Sequence, residues 1–321
     1  MIALNENAAK KFLTENKIEF SEIKKIAGDA SFRSYYRIFC SAQTFILMFA
    51  PPTHEDIKPF VKIDEFLVLN NFSAPKIFAR DDTSGFLLLE DFGDDTYGRI
   101  LKISPSKEFP LYAKACDALL ELHQLKPPTD LANYNHALLF REVMLFVDWY
   151  LPLQKKMMSL QEKALFKFLW FQIFDLIDKE NQTLVLRDYH ADNLMFLPSR
   201  DGRKQVGLLD FQDAVIGSKA YDLVSLLEDA RRDLDEGNRE RLFEYYLKKS
   251  NCDEAVFTRE YEIFSLQRNI KIIGIFARLS LRDGKNNYLT LLPRVLNLIN
   301  QRLASQSKIF FEIKNLLKKF I

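Results

Sequence analysis

The chain of 321 residues is long for one hydrophobic core and comfortable for two lobes. Its 45 Lys and Arg nearly balance 44 Asp and Glu, and a net charge of +1 excludes the basic surplus of a dedicated nucleic-acid binder. Cys40, Cys116 and Cys252 are too scattered for a disulfide framework or a zinc cluster, and no apolar run reaches membrane-spanning length. The N-terminal segment lacks the apolar core of a signal peptide. The expectation is a cytoplasmic protein without nucleic-acid, membrane or obligate protein partners.

In chain order, "NENAAKKFLTEN" has the spacing of a short amphipathic helix. Alternation in "SYYRIF" (34–39) and the apolar run "TFILMF" (44–49) predict two antiparallel strands after a turn at "AGDAS". Pro51-Pro52 ends the second, and "HEDIKPFVKIDEFLVLNNF" returns to helical spacing. "APKIFARDDTSGFLLLE" reads as a hairpin closed by "FLLLE" (86–90). Beyond "DFGDDTYGRIL" the period is mostly helical, interrupted by the short strands "TLVLRD", "NLMFLP" and "VGLLDF". These patterns predict an α+β protein with a small β-rich lobe over 1–90, a connector at 91–97 and a large helical lobe over 98–321.

Two acidic stretches carry the chemistry. "LRDYHADN" (186–193) places Asp188 and Asn193 on one loop, and "LLDFQD" (208–213) places Asp210 at the end of a strand. A carboxylate at the end of an apolar strand is costly unless it is hydrogen-bonded, paired or bound to a cation. An Asp to accept a hydroxyl proton, with an Asn and a second Asp as hard oxygen ligands for Mg²⁺, is the set that phosphoryl transfer needs.

The loop resembles the Asp-x-x-x-x-Asn catalytic loop of the aminoglycoside phosphotransferase and choline kinase group, relatives of the protein kinases. "LLDFQDAVIGSKAYDLVSLL" is similar to that group's metal-binding segment, and "LLLEDFGDDTY" to its lobe connector. Within the group, "GDASFRSYYRI" and "LQRNIKIIGIFARLSLRDGKNNYLTLLPRV" look like the bacterial anomeric sugar kinases of cell-wall recycling. The resemblance implies a bilobal protein-kinase-like fold with ATP and Mg²⁺ as cofactors. It further implies phosphorylation of the anomeric hydroxyl of N-acetylmuramate or N-acetylglucosamine in peptidoglycan recycling. It makes Asp188 the catalytic base and Asn193 and Asp210 the Mg²⁺ ligands. Glu90, just before the connector, and Phe92 within it belong to the segment whose backbone receives the adenine. Gly28 and Ser31 fall in the phosphate loop.

The chain also departs from the kinase pattern. The third strand, "TFILMF", carries no lysine to hold the phosphates, and Gly28 stands alone in its loop. Arg33 or Arg37 is the expected replacement; the bland alternative is an arginine facing solvent. His190 is read either as a substrate contact or as a brace for the loop, and Asp213 as a ligand of a second metal or a turn cap. Asp222 reads as a helix cap or a pin for the catalytic loop. Arg268 and Arg282, on the basic tail of the helical lobe, are candidates for a sugar carboxylate. Other readings are a kinase for an aminoglycoside, choline or similar molecule, and a nucleotide-binding pseudokinase. The absent lysine supports the last; the joint presence of Asp188, Asn193 and Asp210 opposes it.

Overall fold

The structure, a computed structural model, describes residues 4–26, 32–180, 182–305 and 307–321. Gly28 and Ser31 therefore lie outside the described residues. The chain folds as two compact units, Met1–Ile103 with Asp192–Asp213, and Ser104–Ala191 with Ala214–Ile321.

In the first unit, α1 (Glu6–Glu15) starts where the Asn5 side chain accepts hydrogen bonds from the amides of Asn7 and Ala8. It buries Ala9, Phe12 and Leu13 against an antiparallel sheet, with a large apolar side chain contributing about 1.5–3 kcal/mol when fully buried. The sheet strands are β1 (Glu22–Lys25), β2 (Ser34–Phe39), β3 (Thr44–Phe49), β4 (Ile77–Asp81) and β5 (Phe86–Glu90), in spatial order β1-β2-β3-β5-β4. Strand alternation sends Tyr36 and Ile38 into the core with Phe45, Leu47, Phe86 and Leu88, leaving Tyr35 and Arg37 on the opposite face. Helix α2 (Lys58–Leu69) connects β3 to β4. The β4–β5 turn requires Gly85: its φ is +74°, and a Cβ there would sit 2.0 Å from the Ala50 carbonyl oxygen. Helix α3 (Tyr97–Ile103) follows the connector.

The second unit opens with α4 (Glu108–Leu122) and α5 (His136–Leu145). A π-helical turn at Phe146–Tyr150 leads into the three-residue α6 (Leu151–Leu153). Next come α7 (Leu160–Phe174), started by a Ser159/Glu162 capping box, and β6 (Gln182–Val185). The hairpin β7 (Leu194–Phe196) and β8 (Val206–Leu208) then belongs to the first unit. Its backbone explains why: the Leu208 amide donates to Ser73 O at 2.7 Å and the Phe196 amide to Asp95 O at 2.8 Å. A lobe running unbroken over 98–321, as the sequence suggested, differs from this division.

β9 (Val215–Ser218) pairs antiparallel with β6, and the helices α8 (Ala220–Leu227), α9 (Glu236–Ser250), α10 (Glu254–Asp283), α11 (Leu292–Ala304) and α12 (Phe311–Leu317) complete the second unit. The 30-residue α10 runs through its core. Gly274 lets α10 touch α5, since a Cβ there would meet the Leu145 backbone at 2.4 Å. Among the described residues no helix is long and apolar enough to cross a membrane.

Candidate active site

Strand β6 delivers the loop that carries Asp188, and Asp222 holds it. The buried Asp222 carboxylate accepts from the Leu186 amide at 2.6 Å and the Arg187 amide at 2.8 Å. Of the two roles read for Asp222, this is the pin. Burial pushes its carboxyl up to about 7 against the pull of these two amides. Arg187 then adopts a left-handed φ of +71°, a sparsely populated conformation for a side-chain-bearing residue. The turn is held at the next residues as well: Tyr189 Oη donates to Ala115 O at 2.8 Å and the His190 amide to Asp188 O at 3.1 Å.

The Arg187 side chain pairs with the buried Glu142 of α5. Glu142 also meets Lys271 Nζ at 3.0 Å and accepts from Gln267 Nε2 at 2.9 Å and from Tyr134 Oη. Burial would raise the Glu142 carboxyl, but Lys271, Arg187 and these hydrogen bonds overcome it and bring it down to about 2. Asp188 is balanced in the same way. Burial raises its carboxyl, and Lys271, His190, Arg268 and Arg187 more than offset this, holding it below the ordinary aspartate value. Asp188 is thus a carboxylate at neutral pH.

His190 is buried beside Arg231, with Nε2 3.1 Å from a guanidinium nitrogen. Burial, first of all, lowers its pKa, so the ring is neutral. An arginine only donates, so Nε2 is the acceptor and Nδ1 carries the ring proton. Arg268 and Arg282 share α10 but stand 14 residues apart, roughly 21 Å along the helix axis. Arg268 is buried, its Nη1 has no hydrogen-bond partner among the described residues, and its charge acts on Asp188 and His190. Arg282 is exposed and bonded to its neighbour Asp283 at 2.7 and 2.8 Å.

In the first unit, Asn193 and Asp210 stand side by side at the ends of the β7–β8 hairpin. Leu209 N donates to Asn193 O at 3.0 Å, and Asn193 Nδ2 lies 3.5 Å from Asp210 Oδ2. Asp210 has a φ of +58°, and its Oδ1 accepts from Gln212 Nε2 at 3.0 Å. The buried Gln212 Oε1 finds no hydrogen-bond partner among the described residues. Asn193 and Gln212 turn their amide nitrogens to this carboxylate, and a rotation of either amide would add its oxygen to Asp210 in a hard, low-charge donor set. That set suits Mg²⁺, which keeps waters and shares its charge with nucleotide phosphates. Among the described residues no three His, Cys, Asp or Glu side chains cluster into a metal cage.

Arg33 is nearly buried, with its guanidinium 3.8 Å from Asp210 Oδ1 and 3.9 Å from Glu55 Oε2. Burial works against its charge, but Tyr35, Asp210, Glu55 and Asp213 outweigh it and keep the group cationic. Burial likewise pushes the adjacent Tyr35 phenol up to about 12. Arg37 is committed elsewhere: it donates to Asp91 at 2.6 and 3.1 Å, to Asp94 at 2.9 Å and to Gly93 O at 3.2 Å. Glu90 pairs with Arg200, whose guanidinium lies 5.0 Å over the Phe92 ring. Asp213 is exposed.

Sequence reasoning missed Lys271 and its pairing with Glu142. A charged side chain on an amphipathic helix reads as solvated surface. Only the fold shows that these two are buried against each other.

A model of the phosphotransferase enzyme family matches residues 22–261. An N-acetylmuramate/N-acetylglucosamine kinase of Caulobacter vibrioides is 33% identical, covering 90% of this chain and 90% of that one. A kinase of the same name from Pseudomonas putida is 36% identical over 86% of this chain and 81% of its own. Among solved structures, that of the gentamicin–APH(2")-IIa complex superposes with a TM-score of 0.65, covering 97% of this chain and 99% of that one, at 16% identity. That last likeness establishes a shared protein-kinase-like fold.

Proposed function

The chain belongs to the phosphotransferase enzyme family, and we propose that it transfers the γ-phosphoryl group of ATP to the anomeric hydroxyl of N-acetylmuramate or N-acetylglucosamine. The curated relatives similar over most of the chain carry the name of that kinase, which supports a sugar acceptor over an aminoglycoside or choline. ATP as phosphoryl donor and the role in peptidoglycan recycling put the reaction in the cytoplasm.

The observation that carries the reading is an ionised Asp188 on a loop pinned by Asp222. Asp188 accepts the proton as the hydroxyl attacks. An anomeric hydroxyl is more acidic than an ordinary alcohol, so a carboxylate of depressed pKa suffices as base. Asn193, Asp210 and Gln212 hold the metal, and Mg²⁺ when bound neutralises the charge spread over the phosphate oxygens. Arg33 takes the place of the absent small-lobe lysine as the cation for the phosphates. Arg268 donates from α10 to a carbonyl or carboxylate oxygen of the sugar, where its unpartnered Nη1 finds an acceptor.

The test is ATP consumption with Mg²⁺ against N-acetylmuramate, N-acetylglucosamine, glucose, choline and kanamycin, with products read by phosphorus NMR. A sugar 1-phosphate is expected from the N-acetylated sugars, with a fall of about 10²–10⁴ in Asp188→Asn, the range for loss of a general base. In Arg268→Met the KM for the preferred sugar rises while the KM for ATP holds. Turnover of choline or kanamycin alone, or none with ATP still bound, would sink the sugar assignment.

A further inference from the structure

Lys271 and Glu142 are buried on α10 and α5, outside the catalytic loop. A buried ion pair is tolerated only with close geometry and added hydrogen bonds, and an apolar pair of equal volume commonly does as well for stability. The charges therefore call for an explanation other than packing. Lys271 Nζ lies 3.0 Å from Glu142 Oε1 and donates to Tyr221 Oη at 3.1 Å. Glu142 in turn grips Arg187, the residue immediately before Asp188 and the one in the left-handed turn. The pair thus connects two helices to the residue that aims the base.

We propose that Lys271 and Glu142 are positioning residues for Asp188: Glu142 fixes the Arg187 turn that presents the carboxylate, and Lys271 supplies the buried positive charge that keeps it a base. The inference rests on reading Asp188 as the base. The charged and titratable groups facing Asp188 are Lys271 and Arg268 from α10, Arg187 and His190 from its own loop, and Asp222 from α8. Among those that favour the carboxylate, Lys271 contributes most. Removing its charge takes away the largest single opposition to burial and raises the carboxyl. Neutralising Glu142 has the opposite sign, because Lys271 and Arg187 are then left uncompensated beside Asp188.

The test is the pH dependence of kcat/KM for the sugar at saturating ATP and Mg²⁺ in the wild type, Lys271→Gln, Lys271→Arg and Glu142→Gln, with Asp188→Asn as reference. Lys271→Gln keeps a hydrogen-bond donor without the charge. Its acid limb should move up by a pH unit or more, which approaches a tenfold loss relative to the wild type on the acid side of both limbs. Lys271→Arg should leave the limb in place. Glu142→Gln should lower kcat at every pH and move the limb down or not at all. Opposite signs are what loss of packing alone does not produce. If Lys271→Gln does not fold, Lys271→Arg and Glu142→Gln still decide the matter: an upward shift in either overturns the proposal. So does an unmoved limb in a folded Lys271→Gln. Full activity in Asp188→Asn would instead remove the base assignment itself.

Discussion

Arg33 and Arg37 lie four residues apart, yet their surroundings assign them different work. Arg37 spends its donors on Asp91, Gly93 and Asp94, so it shapes the connector. Arg33 faces the Asp210 carboxylate at 3.8 Å, inside the range of a loose ion pair, where a polyphosphate is a stronger competitor for its donors. Hydrogen bonds to charged groups contribute about 1.5–3 kcal/mol, which corresponds to roughly a 10- to 100-fold change in affinity. Arg33→Ala should therefore weaken ATP by about that factor and leave adenosine binding unchanged. Arg37→Ala should weaken ATP and adenosine alike, through the connector. Titration calorimetry with both ligands checks this; equal ATP affinity in wild type and Arg33→Ala would remove Arg33 from the phosphate site.

At the scale of elements, helix α2 carries an oddity. Asp64 is buried beside Glu65 and within reach of Glu90, and its Oδ2 has no hydrogen-bond partner among the described residues. Burial, then the two glutamates, push its carboxyl up to about 8. A carboxyl raised on folding favours the native state while it stays protonated. Its contribution is complete below about pH 4 and lost as pH rises towards 8. Asp64→Asn, neutral at all pH, should raise Tm by a few degrees at pH 9 and change it little at pH 4, as thermal denaturation at the two values would show. A Tm gain equal at both would mean that Asp64 is not protonated in the fold. The strands around α2 were legible because period-2 alternation in "SYYRIF" and the Asp-Asp-Thr-Ser-Gly turn are local signals. Membership of the β7–β8 hairpin was not, because it depends on hydrogen bonds to Ser73 and Asp95, more than a hundred residues earlier. The same holds for Lys271: its spacing from Arg268 shows a common face of α10, and nothing local tells that the face is interior.

Across the whole molecule, Arg33, Asn193, Asp210 and Gln212 belong to the first unit, and Asp188, His190, Arg268 and Lys271 to the second. The spacing of Asp188, Asn193 and Asp210 was visible in the sequence because all three sit on short connections around β7 and β8. The pairing of Glu142 with Arg187 and Lys271 depends on helices distant in the chain and was not. The proposed metal ligands and the proposed base can be tested apart. A ligand at 100 times its Kd stabilises the native state by about 2.7 kcal/mol. For a protein of this size that is a Tm rise of several degrees. If Asn193, Asp210 and Gln212 hold Mg²⁺ on the nucleotide, ATP with Mg²⁺ should raise Tm further than the same ATP with EDTA. Asp210→Asn removes the one carboxylate of the donor set, so the increment due to Mg²⁺ should vanish there while that due to ATP alone remains. In Asp188→Asn both increments should persist, because Asp188, read as the base, lies outside the proposed donor set. Differential scanning fluorimetry of the three proteins decides it. A wild-type Tm with ATP that is indifferent to EDTA would mean that these oxygens do not bind the ion.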